Sequence, residues 1–290
     1  MQIVNHIGPN CTDQDRLLIS VLKNANTFGA LGVKIPGPGK YISLVLDTIQ
    51  LLEGKNLQLT PAKFYSMRFW MMTDARLVMS HSQFMCVHRR VFEHSVFFEL
   101  AEQKLRGLKN MFPDDEIETF LGLRNPTIFI PEVFGDSPVD SFTDFMRGID
   151  PLELRWSDLV ARIRTFLLSA SLTVWCNGDT PLIWAQLIRE LAGVDSLTKI
   201  TGDFDLLSAI MSAEGMHAFV TYLKANPPQT EQQKRRIIAA FLEKYALEEE
   251  IEDEIDILGW SQETPSQLTK NYDEDVYQIE RMEGVNFIGP

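Results

Sequence analysis

The sequence predicts an α/β fold in which a mainly parallel β-sheet carries helices on both faces, followed by a helical C-terminal extension. Over residues 1–199, apolar runs of strand length alternate with segments of helical apolar spacing. Turn residues separate them, with Pro at helix starts and Gly just beyond helix ends. The alternation stops near residue 200, so residues 200–290 are expected to form an extension that packs on the 1–199 domain as one structural unit.

The first sixteen residues predict a strand, a tight turn and a helix. An apolar run over residues 3–7 is broken by Gly-Pro-Asn at residues 8–10, and helical apolar spacing begins at Leu17. Either Thr12 or Asp13 is expected to cap the helix. Because the first N–H groups of a helix point into the preceding turn without partners, such a corner can bind an anion.

The same two patterns predict the other elements of the 1–199 domain. Further strands are predicted at residues 32–35, 76–79, 116–123 and 172–176. Helices are predicted at residues 41–52, 61–72, 92–111, 157–168 and 180–192, with a mixture of helix and loop at 127–150. Since ligands of parallel sheets bind beyond the carboxyl ends of strands, the polar residues there become site candidates. They lie at residues 10–15, 80–83 and 124–125.

The extension is predicted to be helical up to a short tail. Helices are predicted at residues 204–224, from Thr230 to about residue 247, and at 266–282, with an apolar tail at 285–288. Thr230 and Gln233 have the spacing of a capping box. Residues 248–256 carry seven carboxylates among nine residues, which is typical of a solvated face or loop.

Charge and composition exclude several functions. The formal net charge is −13, which argues against nucleic acid or an anionic membrane surface as the main partner, because both require clustered Lys and Arg. A small anionic ligand needs only a local positive pocket and stays compatible with this charge.

The three cysteines, Cys11, Cys86 and Cys176, show no CxxC spacing, which favours reduced thiols over disulfides or structural zinc. Without a secretory signal or an apolar run of membrane-span length, a cytoplasmic protein is expected.

Several short segments resemble bacterial sulfotransferase-like proteins, which have a P-loop fold. They are residues 6–12 (HIGPNCT), the PGPG turn at 36–39, the strand ending in Ser80, LRNP at 123–126, VWCN at 174–177 before DTP at 179–181, and YDEDV at 272–276. This resemblance spans most of the chain and implies a three-layer P-loop-like domain. It also implies that the first turn binds the 5′-phosphosulfate of 3′-phosphoadenosine-5′-phosphosulfate through Lys, Gly and Ser/Thr residues, without a metal.

The resemblance assigns roles to particular residues. The donor would contact the N–H groups of the turn, and an Arg and a later Ser would hold its 3′-phosphate. A His or Glu would remove the proton of the acceptor hydroxyl, for which His81 at a predicted strand end is the candidate. Donor-binding candidates are Asn10, Cys11, Thr12, Asp13 and Gln14 in the turn, Arg124 for the 3′-phosphate, and Arg89 and Arg90 from a basic cluster.

The sequence departs from the family pattern in the turn. Cys11 stands where the Lys is expected, Asp13 where the Gly is expected, and Gln14 and Asp15 where hydroxyls are expected. Glu132 stands at the position of the later Ser, and Ser82 where related sequences often have Glu. Carboxylates favour a helix N-terminus but repel a bound anion. They could therefore occupy, electrostatically, the place of the phosphate.

Other interpretations of these residues stay open. His81 is either a general base or a hydrogen-bonded structural residue. The basic cluster of residues 88–90 with His94 either lines the pocket or forms a solvated helix start. A thiol at a helix N-terminus can be nucleophilic, but Asp13 opposes this for Cys11.

Two functions follow from these observations. The first is an enzyme that transfers a sulfuryl group to a hydroxyl of a carbohydrate or other small molecule. The second is a non-catalytic binding or scaffold protein on the same fold.

Overall fold

The structure, a computed structural model, describes residues 1–12, 15–52, 75–166, 171–247, 260–261 and 263–290. The predicted α/β fold is confirmed: one six-stranded sheet is parallel throughout and has helices on both faces. The strands are β1 (Gln2–His6), β2 (Val33–Lys34), β3 (Arg76–Ser80), β4 (Glu116–Leu123), β5 (Ser171–Cys176) and β6 (Val285–Ile288). Their spatial order is β2-β3-β1-β4-β5-β6.

The α-helices occupy most of the remaining described chain. They are α1 (Arg16–Lys23), α2 (Ala25–Gly29), α3 (Ile42–Leu52), α4 (Ala101–Met111), α5 (Pro126–Gly135), α6 (Phe142–Met146), α7 (Trp156–Phe166), α8 (Thr180–Ala192), α9 (Asp205–Ile210), α10 (Ala213–Ala225), α11 (Glu231–Tyr245) and α12 (Thr264–Ile279). The helix predicted at residues 61–72 and the acidic run at 248–256 lie outside the described residues. None of the described helices combines the length and the apolar character that crossing a membrane requires.

Alternating side chains of the strands bury both faces of the sheet. In β1, Ile3 packs into the core beneath α3, α4, α5 and α7, whereas Val4 packs into the core beneath α1 and α8. Both residues are fully buried. This two-sided burial explains why the strands are nearly continuous apolar runs in the sequence.

The prediction of one long helix over residues 92–111 is wrong for the first half of this range. Residues 93–95 form a short 3₁₀ turn, and the regular helix begins only at Ala101. Phe98 has a left-handed φ of 49° and is fully buried, with its ring 6.1 Å from that of Phe129 and 6.2 Å from that of Trp156. Packing of this aromatic cluster therefore overrides the helical periodicity of the local sequence.

The predicted helix at residues 204–224 is interrupted near its middle. Met211 forms an antiparallel bridge with Ala246, and the N–H of Ser212 donates to the Tyr245 carbonyl at 2.9 Å. Ser212 then caps α10 by accepting from the N–H of Gly215. The break is set by a contact with a residue far along the chain, which helical spacing cannot reveal.

The C-terminal extension contributes to the sheet as well as packing on it. The apolar tail forms β6, which pairs in parallel with β5.

Asp275 of α12 is buried, and its Oδ2 accepts from the N–H groups of Trp156 at 2.6 Å and Ser157 at 3.1 Å. The helix predicted at residues 157–168 therefore begins one residue earlier, at Trp156, where α12 supplies the capping carboxylate. The predicted cap at Thr230 is confirmed, since its hydroxyl accepts from the N–H of Gln233 at 3.1 Å, whereas the Gln233 side chain accepts from the N–H of Gln229.

One buried arginine joins the central strands at their amino ends. Arg76 of β3 is 7% exposed and donates to both carboxylate oxygens of Glu118 in β4, at 2.5 and 3.1 Å. It also donates to Gln2 of β1 at 2.9 Å and to the carbonyls of Glu190 and Leu191 at the end of α8. A single guanidinium thus connects three strands and satisfies two carbonyls at a helix C-terminus.

We expect Arg76→Met to lower the free energy of unfolding by about 3 kcal/mol or more, because Glu118 is left partly buried without its cation. Urea denaturation followed by circular dichroism measures this. The control is Lys23→Met, which removes the more exposed pair between Lys23 and Asp205 and should cost at most about 1 kcal/mol. Equal costs for the two variants would contradict the central role of Arg76.

Candidate functional site

The strand order places the candidate site at the carboxyl ends of β1 and β4. The connection from β1 leads to β2 on one side of the sheet, whereas β4 leads to β5 on the other side. Ligands of open parallel sheets bind where the order reverses in this way. The described segments that follow β1, β3 and β4 are residues 7–12, 81–88 and 124–136, and we call this region the carboxyl edge.

The inner part of the carboxyl edge is a buried hydrogen-bond network. His6 Nδ1 lies 2.8 Å from Ser80 Oγ, and the Tyr41 hydroxyl donates to the Ser80 carbonyl at 2.8 Å. The same hydroxyl accepts from the N–H of Ser80 at 2.7 Å. Burial raises the pKa of Tyr41, so this hydroxyl stays protonated and has a structural function.

The loops after β1 and β3 touch backbone to backbone. Gly8 has a φ of +96°, and a β-carbon built on it would lie 2.6 Å from the Ser82 carbonyl oxygen. Only glycine allows this approach without displacing backbone. The space beside the first turn is therefore occupied by the protein's own chain.

The turn residues that were predicted to bind a donor are held by neighbouring backbone. Asn10 is fully buried, and its Nδ2 donates to the Cys86 carbonyl at 3.2 Å. The Thr12 hydroxyl donates to the Pro9 carbonyl at 3.1 Å, and the Thr12 carbonyl accepts from Asn177 at 3.4 Å.

Helix α1 begins later than predicted. Its first residue is Arg16, and its N-cap is Asp15, which has a left-handed φ of 60° and no side-chain capping hydrogen bond. The expectation that Thr12 caps the helix is wrong, because its hydroxyl bonds to Pro9 instead. Asp13 and Gln14 lie outside the described residues, so their predicted roles stay predictions.

Arg124 and Glu132 are brought together by the structure. Both guanidinium Nη atoms donate to the two carboxylate oxygens of Glu132, with Nη2 to Oε1 at 2.5 Å. The Arg124 side chain is 13% exposed. The arginine predicted for a 3′-phosphate thus binds the carboxylate that replaces the expected serine, in the two-pronged geometry that would suit a phosphate.

The remaining basic residues divide between the carboxyl edge and solvent. Arg89 is exposed, and Arg90 forms an ion pair with Glu93. His94 is largely exposed and pairs with Glu99 at 2.9 Å. Of the predicted basic cluster, His88 is the member that lies near the first turn, with a ring nitrogen within 4.8 Å of the Cys11 sulfur.

His81 is partly buried and accepts a hydrogen bond at Nδ1 from the N–H of Gln83 at 3.2 Å. Burial lowers the pKa of His81, and the nearby Asp15 carboxylate opposes this only in part. The neutral imidazole therefore carries its proton on Nε2. In this geometry His81 offers a hydrogen-bond donor rather than the unprotonated nitrogen that a general base needs.

Cys11, His88 and Asp136 form a cluster at the outer side of the carboxyl edge. The Cys11 thiol donates to Asp136 Oδ2 at 3.5 Å, and His88 Nε2 lies 3.9 Å from the same oxygen. Burial raises the pKa of Cys11 to about 12, with further contributions from Asp136 and Glu132. The thiol is therefore neutral, which opposes the nucleophilic interpretation of Cys11.

Asp136 is the one member of this cluster that sequence reasoning did not single out. It lies 125 positions from Cys11 and 48 from His88 along the chain. No spacing motif joins residues so far apart, and only the fold brings them together.

An apolar groove lies elsewhere, between α10 and α11. It has a volume of about 550 Å³ and is lined by residues such as Ala218, Tyr222 and Phe241. Its exposed lining is mostly apolar, whereas the carboxyl edge brings together titratable side chains beyond the strand ends, so the carboxyl edge remains the candidate site.

We expect Gly8→Ala to destabilise the protein by at least about 2 kcal/mol, because the methyl group meets the Ser82 carbonyl in a strained left-handed conformation. The matched control is Gly148→Ala, which has a φ of +83° but open space around its β-carbon. The difference between the two unfolding free energies isolates the clash. A cost no larger than that of Gly148→Ala would contradict the close backbone contact.

Another prediction concerns the pH dependence of the free energy of unfolding. Because the folded pKa of His81 lies below its value of 6.5 in the unfolded chain, the unfolded state binds more protons in that window. Stability should therefore be highest above pH 6.5 and fall as the pH is lowered toward the folded pKa. His81→Asn keeps a side-chain acceptor for the Gln83 N–H but removes this titration, so its stability should fall less steeply. The exposed His217→Asn control should keep the native slope.

Comparison with known proteins supplies no relative for this site. No family model matches the sequence, and searches of curated proteins and of solved structures found no match. The functional interpretation of the carboxyl edge therefore depends on its geometry and charge, together with the resemblance of short sequence segments.

Proposed function

We propose that this chain is a non-catalytic binding or scaffold protein on an α/β fold, and that its carboxyl edge does not hold a phosphosulfate donor. The observation that carries the proposal is the two-pronged pairing of Arg124 with Glu132. A donor phosphate at Arg124 would have to displace this carboxylate. The displaced Glu132 would then remain partly buried without its cation, at a substantial energetic cost.

The charges around the first turn support the same proposal. Asp15 lies at the start of α1, Asp136 contacts Cys11, and the residue in place of the family's Lys is a neutral thiol. A sulfuryl-transfer site must instead stabilise several negative charges. One like-charge contact at about 4 Å costs on the order of 4 kcal/mol at an effective dielectric of about 20.

Sulfuryl transfer to a hydroxyl of a carbohydrate or small molecule is the second candidate. It is favoured by the position of Arg124, His81 and residues 10–12, which follow β4, β3 and β1 at the same edge of the sheet. In this candidate the donor is 3′-phosphoadenosine-5′-phosphosulfate, Arg124 exchanges Glu132 for the 3′-phosphate, and His81 contacts the acceptor.

Thermal unfolding with 3′-phosphoadenosine-5′-phosphate separates the two candidates. We expect no change in melting temperature at millimolar ligand. A ligand present at about 100 times its dissociation constant would stabilise the protein by roughly 2.7 kcal/mol. Such a stabilisation, abolished in Arg124→Gln, would overturn the proposal in favour of the enzyme.

The variant Glu132→Gln sharpens this test, because it releases Arg124 while keeping the size of the side chain. Donor binding that appears only in this variant supports the proposal that the ion pair blocks the native site. Glu153→Gln, in an exposed turn, is the matched control and should remain without a response.

A further inference from the structure

We propose that Cys11, His88 and Asp136 form a binding site for a divalent transition metal, and that zinc fits it best. The ligand atoms would be Cys11 Sγ, one imidazole nitrogen of His88 and a carboxylate oxygen of Asp136. All three lie within 4.8 Å of one another. They come from the turn after β1, the 3₁₀ turn at His88–Arg90 and the residue that ends α5.

The distances are close to those of a tetrahedral zinc site. Zinc bonds of about 2.0–2.3 Å to sulfur, nitrogen and oxygen place the sulfur and oxygen about 3.6 Å apart, and the nitrogen and oxygen about 3.4 Å apart. The corresponding separations are 3.5 Å between Cys11 Sγ and Asp136 Oδ2 and 3.9 Å between His88 Nε2 and the same oxygen. The third separation, between Cys11 Sγ and the His88 nitrogen, lies within 4.8 Å, against about 3.6 Å in a tetrahedral site, so side-chain movement has to close the remaining gap.

The negative charge at the C-terminal end of α5 favours a bound cation at this position. Asp136 is the C-cap residue of α5, Glu132 lies one turn earlier, and the last turn contains no basic residue. Two carboxylates thus stand at the negative end of the helix dipole. Arg124 pairs with Glu132, whereas the described contacts of the Asp136 carboxylate are to Cys11 and His88.

The chemical types of the ligands select the metal. Thiolate and imidazole suit zinc and related transition metals, whereas Mg²⁺ and Ca²⁺ take oxygen ligands. Three protein ligands leave a fourth tetrahedral position for water or a ligand, as in zinc sites that are not purely structural. The Asp136 side chain is 66% exposed, so solvent reaches the site.

The charge and proton balance of the site is simple. Zinc binding replaces the thiol proton of Cys11, which is released to solvent, by a zinc–sulfur bond. One thiolate and one carboxylate then neutralise the two positive charges of the metal. The neighbouring pair of Arg124 and Glu132 is neutral and need not change.

The experiment measures zinc content and affinity on the full chain, with any affinity tag removed. After dialysis against a chelator, addition of excess Zn²⁺ and removal of unbound metal by gel filtration, elemental analysis should find one zinc per chain. Co²⁺ in place of Zn²⁺ should give thiolate-to-metal charge-transfer absorption. This absorption should disappear in Cys11→Ser, and zinc should bind at least about tenfold more weakly in His88→Gln and Asp136→Asn.

Matched controls keep the result specific. Cys176→Ser removes a thiol at the end of β5, and His94→Gln removes an imidazole six residues from His88. Both should bind zinc and cobalt like the native chain. Circular dichroism of the metal-free variants verifies that each one is folded.

Two outcomes would overturn the inference. One is a native chain that takes up no zinc under these conditions, and the other is zinc retained equally by the ligand variants. Donor binding is measured separately, so zinc uptake together with stabilisation by 3′-phosphoadenosine-5′-phosphate would refute the proposed function but not the metal site.

Discussion

The buried guanidinium of Arg76 is the interaction on which the central sheet depends. It lies at the amino ends of β1, β3 and β4 and binds a carboxylate, an amide and two carbonyls at the end of α8. Because β1, β3 and β4 are parallel neighbours, their carboxyl ends also lie side by side. The loops that follow these strands form the carboxyl edge. The geometry of the candidate site therefore depends on a contact at the opposite, amino ends of the strands.

The carboxyl edge keeps the architecture of an anion-binding corner but places other groups in it. The strand, turn and helix are present, yet Gly8 packs against the Ser82 backbone and the Thr12 hydroxyl bonds to Pro9. The guanidinium that could meet a phosphate is bound to Glu132. Architecture and ligand preference are thus separable, because the strands determine where a ligand can lie and the loop side chains determine its charge.

Local patterns predicted the elements that local interactions stabilise. Strand β4 has the bounds that its sequence predicts, and Thr230 caps α11 as its spacing to Gln233 predicts. Where the predictions were wrong or incomplete, a distant contact decides the structure: the aromatic cluster around Phe98, the capping of α7 by Asp275, and the pairing of β6 with β5. The site follows the same rule. Arg124, Glu132 and Cys11 stand out in the sequence as individual residues, but their partners are a property of the fold.

The sign of the charge that the protein places beside the first turn connects the two proposals. In an anion site the first turn offers a positive side chain and free N–H groups, and the ligand supplies the negative charge. Here the negative charge already belongs to the protein, in Asp136 beside Cys11 and in the C-terminus of α5. Cys11, at the position where the resemblance predicts a Lys, offers a sulfur ligand in place of a fixed positive charge. A corner with this charge is unfavourable for a phosphosulfate and favourable for a metal cation, so the two proposals share one electrostatic basis.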